Sequence, residues 1–137
     1  MKKILFLTLI ITTLLLAGCA PPSPIEAEQE SYALISVETL SEMMETRRDD
    51  FVLINTHIPF EGNLPSTNFS VPYDEINQHL DLFPADKDAE IVLYCMSNRM
   101  ALIAADDLVS AGYTNLKLLD GGMLAWQSAG QILVMEP

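Results

Sequence analysis

Cys95 is the residue of this 137-residue chain whose type and position are best suited to covalent chemistry. It follows the apolar run Ile91–Tyr94 and precedes a short polar segment that leads into a predicted helix. The N–H groups of such a loop can converge on an anion, and a helix N-terminus adds partial positive charge. Together with the charge of Arg99, these effects favour thiolate over thiol. The predicted anion-binding residues are Met96, Ser97, Asn98, Arg99 and Met100.

An inert structural role is the alternative for Cys95. Cysteine is often a small buried residue at the end of a core strand. The chain has two cysteines, and if Cys19 carries lipid, Cys95 has no partner for a disulfide. An unpaired thiol in an exported protein is open to oxidation and is therefore a candidate reactive group.

The N-terminal segment has the organisation of an export signal. Two lysines precede the thirteen-residue apolar run Ile4–Leu16. A spanning helix needs about 20 apolar residues, so this run has the length of a signal-peptide core instead. Leu16-Ala17-Gly18-Cys19 follows and resembles the lipobox of bacterial lipoproteins. That resemblance implies cleavage before Cys19 and acylation, including palmitate, of the new N-terminal cysteine.

The predicted location follows from this anchor, because two or more acyl chains hold a protein firmly at a membrane. We expect the protein to be exported and lipid-anchored at the cell envelope. It would lie on the periplasmic side of an outer membrane if the host has one, and otherwise on the outer face of the cell membrane. The predicted segments are a signal peptide at 1–18, the lipidated cysteine with a flexible, proline-rich tether at 19–30, and one domain at 31–134.

The elements that must position Cys95 alternate between strands and helices. Phe51–Ile54 and Ile91–Tyr94 are continuous apolar runs, typical of strands buried on both faces. This pattern predicts an α/β fold with three layers, in which helices cover both faces of a central, mostly parallel sheet. The other predicted strands are 34–36 and 115–119, and 132–134 either adds an edge strand or trails off. The predicted helices are 37–48, 73–82, 100–111 and 123–129, with a loop at 57–72.

Two motifs resemble single-domain rhodaneses over roughly residues 31–130. Tyr94-Cys95-Met96-Ser97-Asn98-Arg99-Met100-Ala101 resembles the active-site loop of that family. Leu119-Asp120-Gly121-Gly122-Met123-Leu124-Ala125-Trp126 resembles its C-terminal signature. The resemblance implies a rhodanese-like fold and transfer of sulfane sulfur without a metal or organic cofactor.

The resemblance also implies a role for each residue of the loop. Cys95 would attack a donor such as thiosulfate and hold the sulfur as a persulfide. The amides of Met96 to Met100 would stabilise the persulfide and the incoming anion, with help from the charge of Arg99. A thiol or a cyanide-like acceptor would then remove the sulfur.

Several positions depart from the pattern of that family. Met96 stands where a cation is frequent, and Asn98 replaces a glycine, so Asn98 is expected to tolerate a left-handed backbone. Asn55-Thr56-His57 stands where the family usually has Asp-Val-Arg. Asn55 and His57 are therefore the auxiliary candidates, with His57 a replacement donor near the site or an ordinary structural residue.

Composition and loop length limit the other functions. Seven Lys and Arg against nineteen Asp and Glu argue against nucleic acid as a partner. Only three residues separate Cys95 from Arg99, whereas cysteine phosphatases have five residues between their cysteine and their arginine. The loop length therefore argues against a phosphatase. Besides a sulfurtransferase or persulfide carrier, a rhodanese-like binding or regulatory module of weak or no activity stays open, favoured by the altered segment Asn55–Thr67.

Overall fold

The computed structural model describes residues 31–136. The strands in this range are β1 (Tyr32–Ile35), β2 (Phe51–Asn55), β3 (Phe69–Ser70), β4 (Glu90–Tyr94) and β5 (Leu116–Leu119). The α-helices are α1 (Val37–Thr46), α2 (Arg99–Ser110) and α3 (Gly122–Ser128).

The five strands form one sheet in the order β1-β5-β4-β2-β3, and every pair of neighbours is parallel. Strand β4 lies between β5 and β2, and its last residue, Tyr94, pairs with Asn55 at the end of β2. The carboxyl ends of all strands therefore meet at one edge of the sheet, which is where ligands bind in open parallel sheets. The expected parallel sheet is confirmed.

Helices cover both faces of this sheet. Ala104 and Leu108 of α2 belong to a core cluster with Ile91 and Leu93, whereas α1 and α3 share the other cluster with Val92 and Tyr94. Successive side chains of a strand point to opposite faces, so Cys95 falls on the α2 side with Ile91 and Leu93. The predicted three-layer arrangement is thus confirmed, with the thiol on the face opposite α3.

Two of the predicted elements were wrong. The segment expected as a helix at 73–82 forms two 3₁₀ turns, Ile76–Gln78 and Leu80–Leu82. Its Asp, Asn and His residues are poor helix formers, and such a short segment does not repay helix nucleation. Strand β3 lies within the expected loop at 57–72. Of the two alternatives for 132–134, the structure shows the segment without a strand, joined to the domain by one antiparallel bridge between Val134 and Asn63.

Within residues 31–136, no helix is both long and apolar enough to cross a membrane. The predicted signal peptide, tether and lipidated Cys19 lie outside the described residues. They stay predictions.

Three charged side chains join α1 to the sheet at the edge opposite Cys95. Both terminal guanidinium nitrogens of Arg47 donate to the Glu90 carboxylate, at 2.8 and 3.0 Å, and Lys117 Nζ lies 2.6 Å from the same group. Hydrogen bonding from Arg47 first, and then the bond and charge of Lys117, lower the pKa of Glu90 from its usual 4.5 to about 2, although burial opposes the shift. The carboxylate therefore stabilises the fold only while it is ionised.

Glu90 is expected to make the stability of the fold depend on pH in the acidic range. Because the folded pKa is depressed, its contribution is complete above the unfolded value of 4.5 and is lost as the pH falls through about 2. We expect Glu90→Gln to lower the free energy of unfolding by on the order of 2 kcal/mol at neutral pH, a figure reduced for the partial exposure of Arg47. Urea unfolding of both proteins should show this difference shrinking as the pH approaches 2, whereas Glu45→Gln, an exposed change on α1, should show no such trend.

Candidate active site

The loop between β4 and α2 carries Cys95 at its start. The thiol residue is 1% exposed, and α2 begins four residues later at Arg99. The carbonyl oxygens of Cys95 and Met96 accept hydrogen bonds from Met123 N at 2.9 Å and Leu124 N at 3.0 Å. The first turn of α3 therefore fixes the orientation of the first peptide groups of this loop.

This orientation turns the loop amides toward the thiol. In a trans peptide the C=O and N–H point in opposite directions, so carbonyls that face α3 send the next N–H groups away from α3. That is the side on which the Cys95 side chain lies. Among the described residues, the N–H groups of Met96 through Ala101 have no hydrogen-bond acceptor. A run of free amides at a helix N-terminus forms a cradle for an anion.

Gly122 makes the close contact between α3 and the loop feasible. A Cβ at this position would lie 2.3 Å from Cys95 O and 2.3 Å from Ser97 O. Its φ of +56° is also in the left-handed region that favours glycine. Both the space and the backbone conformation therefore require glycine here.

Asn98 joins the loop to the turn that precedes α3. Its Nδ2 donates to Asp120 Oδ1 at 2.9 Å, and its Oδ1 accepts from Gly121 N at 2.8 Å. The side chain therefore does not cap α2, which leaves the first amides of that helix free. The φ of Asn98 is −126°, so the loop closes without the left-handed conformation that Asn98 was expected to tolerate.

The remaining loop residues are one cation, two methionines and a serine; Met100 packs against the core cluster that contains Cys95, and Met96 against the cluster on the α3 side. Arg99 is exposed and, among residues 31–136, forms no ion pair or side-chain hydrogen bond. Met96 and Met100 are half-buried, and Ser97 is exposed. The charge of Arg99 is thus available to an incoming anion. In the same part of the chain, no group of three His, Cys, Asp or Glu side chains could hold a metal ion.

The two auxiliary candidates, Asn55 and His57, order the neighbouring loop. Asn55 is fully buried; its amide donates to Gly62 O at 3.0 Å and to Asn63 Oδ1 at 2.9 Å, and its oxygen accepts from His57 N. His57 Nε2 lies 2.6 Å from Glu61 Oε2, while its Nδ1 is buried without a partner among the described residues. Both donors of the Asn55 amide are thus used to hold the loop at residues 62 and 63.

Tyr94, the residue before Cys95, binds the loop at residues 61–67 through its hydroxyl group. Its hydroxyl donates to Asn63 Oδ1 at 3.1 Å, accepts from Leu64 N at 3.0 Å, and lies 2.6 Å from Thr67 Oγ1. Burial raises the pKa of Tyr94 to about 12, so the hydroxyl keeps its proton and donates at neutral pH. The strand that presents Cys95 is thereby tied to the loop at residues 61–67.

Asn63 is expected to be one of the most important polar residues for stability. Its Oδ1 accepts from Asn55, Ser70 and Tyr94, and its Nδ2 donates to Glu136 O at 2.8 Å. Asn63→Ala would leave several buried donors unsatisfied, which costs about 3 kcal/mol. Urea unfolding should show this loss.

Asn115→Ala is the matched control for that experiment. The Asn115 side chain makes one exposed hydrogen bond, from Nδ2 to Asp88 O at the opposite edge of the sheet. Its loss should cost less than about 1 kcal/mol. Equal losses in the two variants would contradict the role given to Asn63.

Three residues of the site were not assigned by the sequence. Gly122 and Asp120 enter the sequence analysis only as members of the motif that ends at Trp126, and Tyr94 only as the last residue of an apolar run. Their roles depend on contacts between segments that are distant in sequence. A glycine pair directly before a short helix was the one signal that could have indicated a close approach of backbones.

A comparison with family models matches residues 29–129 to the rhodanese-like domain. An uncharacterized protein of Synechocystis is 31% identical over 103 residues, covering 74% of this chain and 55% of that protein. The chain thus spans about half the length of this relative. A sulfurtransferase of Allochromatium vinosum is 29% identical over 103 residues, covering 73% of this chain and 92% of that protein.

The fold is also similar to that of a solved protein. The crystal structure of a rhodanese-related protein from Thermoplasma volcanium matches with a TM-score of 0.63 and 19% identity. The match covers 77% of this chain and all of that one. At this level of identity the likeness concerns the fold alone.

Proposed function

Because the chain belongs to the rhodanese-like domain family, we propose that it is a sulfurtransferase that carries sulfane sulfur as a persulfide on Cys95. One observation carries this proposal: the N–H groups of Met96 through Ala101 have no acceptor among the described residues, and the loop that carries them begins at the Cys95 thiol. Amides in this arrangement stabilise both a thiolate and the terminal sulfur anion of a persulfide. The sulfurtransferase of Allochromatium vinosum, 29% identical, supports the same assignment.

The reaction proceeds in two displacements. The Cys95 thiolate attacks the outer sulfur of a donor; the Sγ–S bond forms, and the donor's S–S bond breaks with its electron pair on the leaving group. A thiolate or cyanide acceptor then attacks the outer sulfur of the persulfide and returns Cys95 to the thiolate. The loop amides and Arg99 hold the negative charge in both steps.

A binding module is the second candidate function, and the burial of the thiol favours it. At 1% exposure, Cys95 is as inaccessible as an inert core cysteine. In the sulfurtransferase, this burial shields the persulfide from water and limits entry to a donor with a narrow terminal sulfur atom.

Intact mass spectrometry separates the two functions. The protein purified from the expressing cell is incubated with thiosulfate, with inorganic polysulfide and with a thiosulfonate anion, and the modified peptide is mapped. We expect one added sulfur atom on the Cys95 peptide, removable by cyanide and absent after iodoacetamide treatment. No added sulfur from any donor, in a folded protein whose Cys95 still reacts with iodoacetamide, would leave the binding module.

The proposal includes a lipid anchor at the cell envelope. Its support is the order of two lysines, the apolar run Ile4–Leu16 and the lipobox that ends at Cys19. We expect the mature chain to begin at an acylated Cys19 and to partition with membranes, whereas Cys19→Ala should not be acylated. An unmodified N-terminal peptide that still contains residues 1–18 would contradict this location.

A further inference from the structure

Tyr73 lies at the same edge of the sheet as Cys95. The ladder between β2 and β4 continues for one more hydrogen bond, from Thr56 N to Tyr94 O at 2.8 Å. On the other side of β2, Tyr73 N donates to Thr56 O at 3.1 Å. The backbone of Tyr73 is therefore two strand spacings away from the start of the Cys95 loop, which is a distance of about 10 Å.

The Tyr73 side chain lies on the face of the sheet that carries the thiol. It is half-buried and packs against the core cluster that contains Cys95, as does Met100 from the first turn of α2. The turn Ile76–Gln78, which follows Tyr73 in the chain, packs against α2 on the same face. Tyr73 and the start of α2, where the free amides lie, thus share one face and one edge of the sheet.

The hydroxyl of Tyr73 is a free hydrogen-bond donor. It has no hydrogen-bond partner within the part of the chain that the structure describes. By contrast, the hydroxyl of Tyr94 binds Asn63, and that of Tyr113 donates to Pro84 O at 2.8 Å. The ring of Tyr73 alone therefore accounts for its packing, and the fold leaves its O–H available to a ligand.

The part of a donor that stays outside the loop needs such a hydrogen bond. Cys95 is 1% exposed, so the loop admits the outer sulfur atom of a donor and excludes its bulkier leaving group. Arg99 is the cation of this loop, and it is exposed, so that water and salt screen its charge. A leaving group with anionic oxygens therefore gains from a second donor on the thiol side of the sheet.

We propose that Tyr73 is a substrate-binding residue of the sulfur-uptake step, whose hydroxyl donates to an anionic oxygen of the donor's leaving group. This inference rests on the proposed function. The sources that share this chemistry are thiosulfate and organic thiosulfonates. Inorganic polysulfide has no oxygen, so its reaction with Cys95 is independent of the Tyr73 hydroxyl.

The hydroxyl acts on the charge that develops during transfer. The Cys95 thiolate attacks the outer sulfur of thiosulfate; the Sγ–S bond forms, and the S–S bond breaks with its electron pair on the leaving sulfite. Part of the charge of thiosulfate lies on its outer sulfur, whereas all the charge of sulfite lies on the SO₃ group. The oxygens become more negative as the bond breaks, so an O–H bonded to them favours the transition state over the bound donor. Tyr73 keeps its proton, and no oxidant or reductant enters the reaction.

The test compares sulfur uptake from thiosulfate and from inorganic polysulfide by the full-length protein and its Tyr73→Phe variant. The readout is the second-order rate constant for adding one sulfur atom to Cys95, followed by quenched intact mass spectrometry. Any general effect on the thiol or the fold cancels in the thiosulfate-to-polysulfide ratio. We expect Tyr73→Phe to lower this ratio by roughly tenfold, the effect of losing one hydrogen bond to a charged group.

Tyr113→Phe is the matched control, because it removes the same phenol oxygen from the same core cluster. Tyr113 lies between α2 and β5, at the edge of the sheet opposite Cys95. The ratio should therefore be unchanged in this variant. An unchanged ratio in Tyr73→Phe would overturn the inference, and so would an equal fall in Tyr113→Phe.

Methanethiosulfonate replaces thiosulfate in a second series, which distinguishes the two sources. If both ratios to polysulfide fall in Tyr73→Phe, both sources use the hydroxyl; if one falls, the inference holds for that source. A wild type that takes sulfur only from polysulfide would overturn the inference and leave the sulfurtransferase intact. No uptake from any donor would overturn both.

Discussion

Replacing Cys95 with serine is expected to abolish sulfur uptake from every donor, a loss of at least roughly 1,000-fold. The serine hydroxyl is not ionised at neutral pH, whereas the thiolate is the nucleophile that attacks the donor sulfur. Because Cys95 is 1% exposed and serine is of similar size, the fold should be kept at a modest cost in stability. The measurement is the added sulfur seen by intact mass, together with the rate of thiocyanate formation.

Cys19→Ser is the control for this prediction, since the chain has two cysteines. Sulfur uptake should be unchanged in that variant after extraction with detergent, because the cradle is formed by residues of the described domain. Uptake that persists in Cys95→Ser and disappears in Cys19→Ser would place the chemistry on the other thiol. Thermal melts of both variants would show that the difference is not a loss of fold.

The sequence predicts the central part of this fold because its signals are local. The apolar runs of β2 and β4 are continuous, as expected for strands covered on both faces, and the resulting sheet is parallel. The Cys95 loop is contiguous in sequence, so its residues needed no long-range contact to be placed together. The sequence therefore placed the thiol at the carboxyl edge of the sheet.

Other features were not predictable because they depend on long-range contacts. The hydrogen bonds of Asn63 join it to Asn55, Tyr94 and Glu136, which lie 8, 31 and 73 residues away. No local pattern encodes such partners. The segment at 73–82 has the apolar spacing of a short helix, but its 3₁₀ turns bury only Ile76 completely. Apolar spacing alone therefore overstated the helix, because the Asp, Asn and His residues of this segment are poor helix formers.

Gly122 shows how a residue outside the loop sets the chemistry of Cys95. The amides of Met123 and Leu124 reach Cys95 O and Met96 O only because α3 approaches the loop closely. That approach leaves no room for a side chain at Gly122. If α3 moves away, the two carbonyls lose their donors, and the peptide groups that aim N–H toward the thiol are free to rotate. The cradle is thus a property of two segments in contact, and not of the loop alone.

We therefore expect Gly122→Ala to reduce the rate of sulfur transfer by roughly 100-fold, the effect of misplacing reacting groups by about 1 Å. Its Cβ would lie 2.3 Å from Cys95 O and Ser97 O, so the loop or α3 must shift. Gly112→Ala is the matched control: φ is +95°, but nothing lies within 4 Å of its Cβ, so it suffers only the backbone strain of about 1–2 kcal/mol. Thiocyanate formation and thermal melts of both variants are the measurements. If both variants lose similar amounts of stability and Gly122→Ala alone loses most of its activity, this role of α3 is supported. Full activity of a folded Gly122→Ala would contradict it.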